Sequence, residues 1–247
     1  MIYASKEKQN IAEDDVFISS NGIKIDVCFW ESIKGREKTQ EEMLAIAEWK
    51  NASNVEGLAI VHNPEVMNSH KSNAISIQKI GITDLSTDVI VNAANDGLWA
   101  GTGVCGAIFA AAGHRKLQDA CDAIGHCDTG SAVITPGFDL KAKYVIHAVG
   151  PIWRGGESNE PQLLYGAYKR SLELAVENGC HSIGFPLLSA GVFGYPKDKA
   201  WRKAIQACKD FFQKNPDANL QVVFAVLDDG IMNLGKKTLE EIAPEYK

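Results

Sequence analysis

The sequence predicts an α/β protein: a three-layer α-β-α domain around a central, mostly parallel mixed sheet, preceded by a smaller α+β extension. Three observations predict it. Short, apolar, β-branched runs such as Asp88-Val89-Ile90-Val91 have the composition of strands buried in a parallel sheet. Such runs alternate along the chain with longer helical segments, an order that covers both faces of a sheet. Two glycine-bearing loops, Gly101–Gly106 and Ser189–Pro196, each follow one of these strands and open a helix. In α/β proteins such loops converge on one crevice at the carboxyl ends of the strands.

The extension comes first, over residues 1–70. Phe17–Ser20 and Ile23–Val27 flank Asn21-Gly22, a hairpin signal because both turn positions tolerate positive φ. Thr39–Asn51 follows as a helix, with Met43, Leu44, Ile46, Ala47 and Trp49 spread over its period and Thr39 with Glu42 fitting a capping box. Gly57–Val61 is expected as a short strand, and the polar stretch Glu65–Asn73 as the linker. The main domain, 74–247, then places strands near 75–79, 88–92, 131–135, 144–149, 182–187 and 221–227. Helices are expected near 104–112, 115–124, 161–178, 197–214 and 233–242.

Composition narrows the function classes. With 247 residues and 45% hydrophobic content the chain can bury a full core. A net charge of −6, with no basic tract interleaved with aromatics, argues against a nucleic-acid surface. No stretch of some twenty apolar residues predicts a membrane span, and no basic start leads into an apolar run. The six cysteines form no C-x-x-C pair, which points to reduced thiols in a cytoplasmic protein and to no metal site.

The chemistry is concentrated in the two loops. Glycines let the backbone approach phosphate oxygens, and unpaired N–H groups at a helix start meet their charge. One loop for each side of a diphosphate is the natural reading. The segments Asp88–Asn95, Gly101–Gly106, Cys127–Thr135, Tyr144–Pro151 and Leu188–Pro196 together resemble the macrodomain family of ADP-ribose-binding modules. The resemblance runs from about Ala74 to Glu240 and is greatest to the bacterial branch described as O-acetyl-ADP-ribose deacetylases and mono-ADP-ribosyl hydrolases.

That resemblance implies ADP-ribose, or an ADP-ribosylated protein, as the partner, and no cofactor. It implies that Asn95 holds the distal ribose, that Gly103, Val104 and Cys105 form the first phosphate loop, and that Ser189, Ala190, Gly191, Val192 and Phe193 form the second. Phe193 would cover one face of the distal ribose, while Gly81, Ile82 and Leu227 would border the adenine. The catalytic part falls to Asn95, Phe193 and Gly103. Asn92 and His147 are expected to be interior residues.

Three departures from the family's pattern bear on activity. Gly81 stands where the family carries an aspartate that accepts from the adenine amino group; losing such a bond costs about 1.5–3 kcal/mol. Cys105 stands where the deacetylase-like branch carries a water-orienting aspartate, and Phe109 where it carries a histidine. The segment Pro186–Gly194 also resembles coronavirus macrodomains, which lack the loop aspartate and still count as hydrolases. The implied mechanism is therefore substrate-assisted, a diphosphate oxygen positioning the water. The alternative is a reader module that binds ADP-ribose without turnover. A protein–protein role is described for some relatives, but no feature of this sequence supports it.

Overall fold

A computed structural model describes residues 17–18, 24–25, 38–43, 45–46 and 73–247. The chain divides into two compact units, Met1–Ser69 and His70–Lys247. In the first unit β1 (Phe17–Ile18) pairs antiparallel with β2 (Lys24–Ile25). The expected turn at Asn21-Gly22 lies outside the described residues. Backbone at 40–43 is helical, and it starts with a reciprocal capping box. Glu42 N–H donates to Thr39 Oγ1 at 3.2 Å and Thr39 N–H to Glu42 Oε2 at 2.8 Å. Ala45 and Ile46 are buried, but Met43 is 55% exposed, so it stands off the apolar face that its spacing suggested. The remainder of the expected helix and the expected strand Gly57–Val61 lie outside the described residues.

The second unit holds a six-stranded sheet. Its strands are β3 (Ala74–Lys79), β4 (Val89–Ala93), β5 (Ala132–Pro136), β6 (Tyr144–Ala148), β7 (Ser182–Phe185) and β8 (Gln221–Val226). The helices are α1 (Gly103–Ala112), α2 (His114–Ile124), α3 (Glu160–Glu177), α4 (Lys197–Lys214) and α5 (Asp229–Ile242). Helix α5 begins four residues before its expected start, because the Asp228 carboxylate accepts the Ile231 N–H and caps it.

Across the sheet the order is β3-β8-β7-β4-β6-β5, parallel throughout except for β5. The antiparallel edge has a simple cause: residues 137–143, which join β5 to β6, are too few for a parallel crossover. The pleat sorts side chains to two cores. Val89 and Val91 of β4 pack with Tyr168, Phe185, Trp201 and Phe224 under α3, α4 and α5. Ile90, between them in sequence, packs with Ile108, Phe109 and Leu117 under α1 and α2. At the amino ends of the strands, Asp88 ties β4 to β7 by accepting the backbone N–H groups of His181 and Ser182 at 3.0 and 3.1 Å. The opposite, carboxyl edge is left to the loops. Among the described residues no helix is long and apolar enough to cross a membrane.

Candidate functional site

Five parallel strands end at one edge, and the loops that leave them follow the strand order. Gly81 and Ile82 follow β3, Leu227 follows β8, Ser189–Gly194 follow β7, Asn95 follows β4 and Val149–Arg154 follow β6. A cleft of ≈ 410 Å³ opens at the β4–β6 end of this row, lined by Asn95, Asp96, Gly150, Arg154, Glu160 and Phe193 among others. Asn95 and Phe193 are thus brought into one cavity from positions almost a hundred residues apart.

The second loop is shaped by strain and by close approach. Ser189 has φ 62, in the left-handed region that a non-glycine residue seldom adopts. Tyr195 N–H donates to Ser189 O at 3.0 Å and Gly194 N–H to Gly191 O at 3.0 Å, which close the loop. Leu188 N–H is held by the Tyr168 hydroxyl at 2.9 Å. The N–H groups of Gly191, Val192 and Phe193 have no hydrogen-bond partner among the described residues. Ser189 is 7% exposed and its hydroxyl is buried without a partner. That hydroxyl lies against Gly150, where a Cβ would stand 2.2 Å away, so only glycine fits there.

The first loop ends in the α1 N-terminus. Thr102 is its N-cap and offers no side-chain bond. The first-turn N–H groups of Gly103, Val104 and Cys105 therefore have no intrahelical acceptor and stand free for an anion. Gly103 is exposed, Val104 is 37% exposed, and neither lines the cleft. Cys105 is 6% exposed and its thiol turns inward. Its Sγ accepts from Gly101 N–H at 3.3 Å and from Asn92 Nδ2 at 3.6 Å.

Asn95 is already partly engaged. Its Nδ2 donates to Trp99 O at 2.8 Å and its Oδ1 accepts Trp99 N–H at 3.2 Å, so the side chain closes the 95–99 turn. A primary amide has two N–H donors and two lone pairs, which leaves one of each for a ligand. Phe193 is half-buried, and its carbonyl accepts Trp153 N–H at 2.8 Å, joining the second loop to the 149–160 segment. The Trp153 ring packs on Tyr195 with centroids 4.6 Å apart.

At the β3–β8 end, the open face of Gly81 is filled by a neighbour. The Asp84 carboxylate oxygen stands 2.6 Å from where a Gly81 Cβ would be. Ile82 is buried, and Leu227 is 75% exposed on the rim. Val192 is 92% exposed. The structure thus places the predicted residues along one edge, but only Asn95 and Phe193 share the cleft.

Beneath the site runs a neutral polar chain. Asn92 Nδ2 donates to His147 Nδ1 at 3.1 Å, so Nε2 carries the proton and donates to Thr135 Oγ1 at 2.9 Å. Burial lowers the His147 pKa to about 4. Its role is interior, as is that of Phe109, which is fully buried beside it. Among the described residues no group of three His, Cys, Asp or Glu side chains could hold a metal ion.

The sequence reading missed the 149–160 side of the cleft. Glu160 is 1% exposed, and its carboxylate accepts three backbone N–H groups, from Arg154 (2.9 Å), Gly156 (3.0 Å) and Ser158 (2.5 Å). Burial raises its pKa, but these donors outweigh it and hold the carboxyl below its ordinary value. Arg154 lines the cleft and its guanidinium forms no ion pair among the described residues. The segment Trp153-Arg154-Gly155-Gly156 was the available signal, two glycines beside an arginine after a buried strand.

A macro domain family model matches residues 91–204. An O-acetyl-ADP-ribose deacetylase of Cronobacter turicensis is 49% identical over 162 residues, which span 64% of this chain and 91% of the relative. The chain belongs to the macro domain family. An ADP-ribose glycohydrolase of Xenopus laevis is 44% identical over 172 residues, 69% of this chain and 41% of that protein. Among solved macro domains, that of Oceanobacillus iheyensis with ADP superposes with a TM-score of 0.64 at 35% identity, covering 68% of this chain and 91% of that one. The macro domain of Trypanosoma brucei in complex with ADP-ribose gives 0.61 at 35% identity, covering 67% and 68%.

Proposed function

We propose that this macro domain binds ADP-ribose along the carboxyl edge of its sheet and hydrolyses esters of the distal ribose. The substrates are mono-ADP-ribose on acidic side chains, or O-acetyl-ADP-ribose. One observation carries the reading: two sets of unpaired backbone N–H groups, at the α1 start and at Gly191–Phe193, stand on loops of the edge that holds the Asn95–Phe193 cleft. The sites follow from strand order, with adenine at β3 and β8 and the distal ribose at β4 and β6. Gly81, Ile82 and Leu227 border the adenine. Asp84, covering Gly81, supplies the acceptor for its amino group. Gly103, Val104 and Cys105 bind one phosphate through backbone N–H groups, and Ser189–Phe193 the other. Asn95 and Phe193 fix the distal ribose for attack by water that a diphosphate oxygen orients. The relatives named deacetylase and glycohydrolase support hydrolysis over binding alone. The described cysteines, all free thiols, fit a cytoplasmic setting.

A reader module remains the second reading, favoured by the inward-facing Cys105 thiol where the deacetylase-like branch carries a carboxylate. Two measurements separate the readings. ADP-ribose at a hundred times its Kd is expected to stabilise the fold by about 2.7 kcal/mol, and AMP by less. Incubation with a transferase auto-modified on glutamate and aspartate is expected to release free ADP-ribose. Binding without release selects the reader; no thermal shift at millimolar ADP-ribose removes both.

A further inference from the structure

Hydrolysis of an ester needs somewhere for the proton of the attacking water to go. Cys105, at the loop position that suggests itself, is 6% exposed, does not line the cleft and has its sulfur engaged inward. Two carboxylates line the cleft, Asp96 and Glu160. Both oxygens of Glu160 are taken, Oε1 by the Arg154 and Gly156 N–H groups and Oε2 by that of Ser158. Asp96 differs. Its Oδ1 accepts the Gly97 N–H at 3.0 Å, while its Oδ2 has no partner among the described residues.

The backbone that presents Asp96 is held on both sides. Cys127 N–H donates to Asp96 O at 2.9 Å, and the Asn95–Trp99 pair closes the turn around it. Leu98, at φ 60, carries the strain of that turn. Asp96 follows Asn95 directly, and both line the cleft in which Asn95 is assigned to the distal ribose. A carboxylate on the cleft lining, held by a fixed turn and with one oxygen unpaired among the described residues, is placed to take a proton.

We propose that Asp96 is the general base of this site. The inference rests on the hydrolase reading above. Asp96 Oδ2 takes a proton from water as the water oxygen bonds to the anomeric carbon of the distal ribose. The bond from that carbon to the acyl oxygen of the modified side chain breaks, and its electron pair leaves on the carboxylate. Free ADP-ribose departs, and Asp96 returns its proton to solvent.

The test is Asp96→Asn in the full chain, on a protein mono-ADP-ribosylated at glutamate. Asparagine keeps Oδ1, so the bond to Gly97 N–H and the turn survive. The expected result is a loss of about 10²–10⁴-fold in kcat, with ADP-ribose affinity by calorimetry within about threefold. Asp96→Glu is expected to recover part of that kcat, because it restores the carboxylate. A kcat for Asp96→Asn within threefold of the unmodified chain overturns the proposal and leaves the hydrolase reading standing. Tight ADP-ribose binding with no turnover in the unmodified chain overturns both.

Discussion

Gly191 has open space where a Cβ would stand and lies on the exposed crest of the second loop, beside unpaired N–H groups. Gly191→Glu should therefore leave the fold intact while placing bulk and negative charge where a phosphate is expected. The predicted outcome is an unchanged unfolding midpoint and no measurable ADP-ribose binding by calorimetry. Retained affinity would put the phosphate elsewhere. At the other end of the edge, Asp84 has taken the space that a side chain at Gly81 would fill. Asp84→Ala should weaken ADP-ribose by about ten- to a hundredfold if that carboxylate meets the adenine amino group. Equal affinity of the variant would show that the adenine is held by backbone and by Leu227 alone.

Between elements, the contact that matters most is the one joining β6 to the β7–α4 loop. Gly150 lies two residues beyond the end of β6, and a Cβ there would meet Ser189 Oγ at 2.2 Å. Gly150→Ala should destabilise by about 1–3 kcal/mol, the usual cost of overpacking, and should also displace the second loop. A loss of at least tenfold in ADP-ribose affinity is expected to accompany it. Removing the hydroxyl relieves the contact, since Ser189 Cβ is 3.5 Å from the same point. The double variant Gly150→Ala, Ser189→Ala should recover most of the stability, and a cycle of urea midpoints measures the coupling. Additive costs would mean that the cost of Gly150→Ala does not arise from the Ser189 hydroxyl.

For the whole molecule, the buried chain Asn92–His147–Thr135 sets a pH dependence. His147 has its pKa lowered by burial from 6.5 to about 4. The unfolded chain therefore binds a proton that the folded one refuses between those values. Stability present above pH 6.5 is lost as pH falls toward 4, by about 3 kcal/mol at most. The Cys121 thiol, 3.7 Å from His147 Nε2, has its pKa pushed up to about 11 and stays protonated throughout this window. Asp88 and Glu160, both held below their ordinary pKa values, add their losses at lower pH. Urea unfolding at pH 7 and pH 4.5 should show this drop in the unmodified chain and a smaller one in His147→Gln. Parallel slopes in the two proteins would remove His147 as the cause.

Most of the fold was legible in the sequence because its signals are local. Apolar β-branched runs marked all six strands of the main sheet, and the Thr39–Glu42 pair named its own cap. The same holds for the two loops, whose glycines and short polar residues announce unpaired N–H groups before any packing is known. What lay beyond reach depends on distance in space. The orientation of Cys105 was set by Asn92 and the Gly101 N–H, and the position of Asp84 by the 3₁₀ turn Ile82–Asp84. Glu160 looks in sequence like an ordinary first-turn acid, yet the loop before it folds back and takes up both of its oxygens. Asp96 looks like a turn residue, and only the convergence of the β4, β6 and β7 ends shows that it lines the cleft with one oxygen unpaired among the described residues. Local propensity determined which loops could hold a phosphate. Which carboxylate oxygens are left unpaired at the cleft was decided by the tertiary structure, because hydrogen bonds from residues distant in sequence or across a turn choose which polar atoms are spent and which are left free.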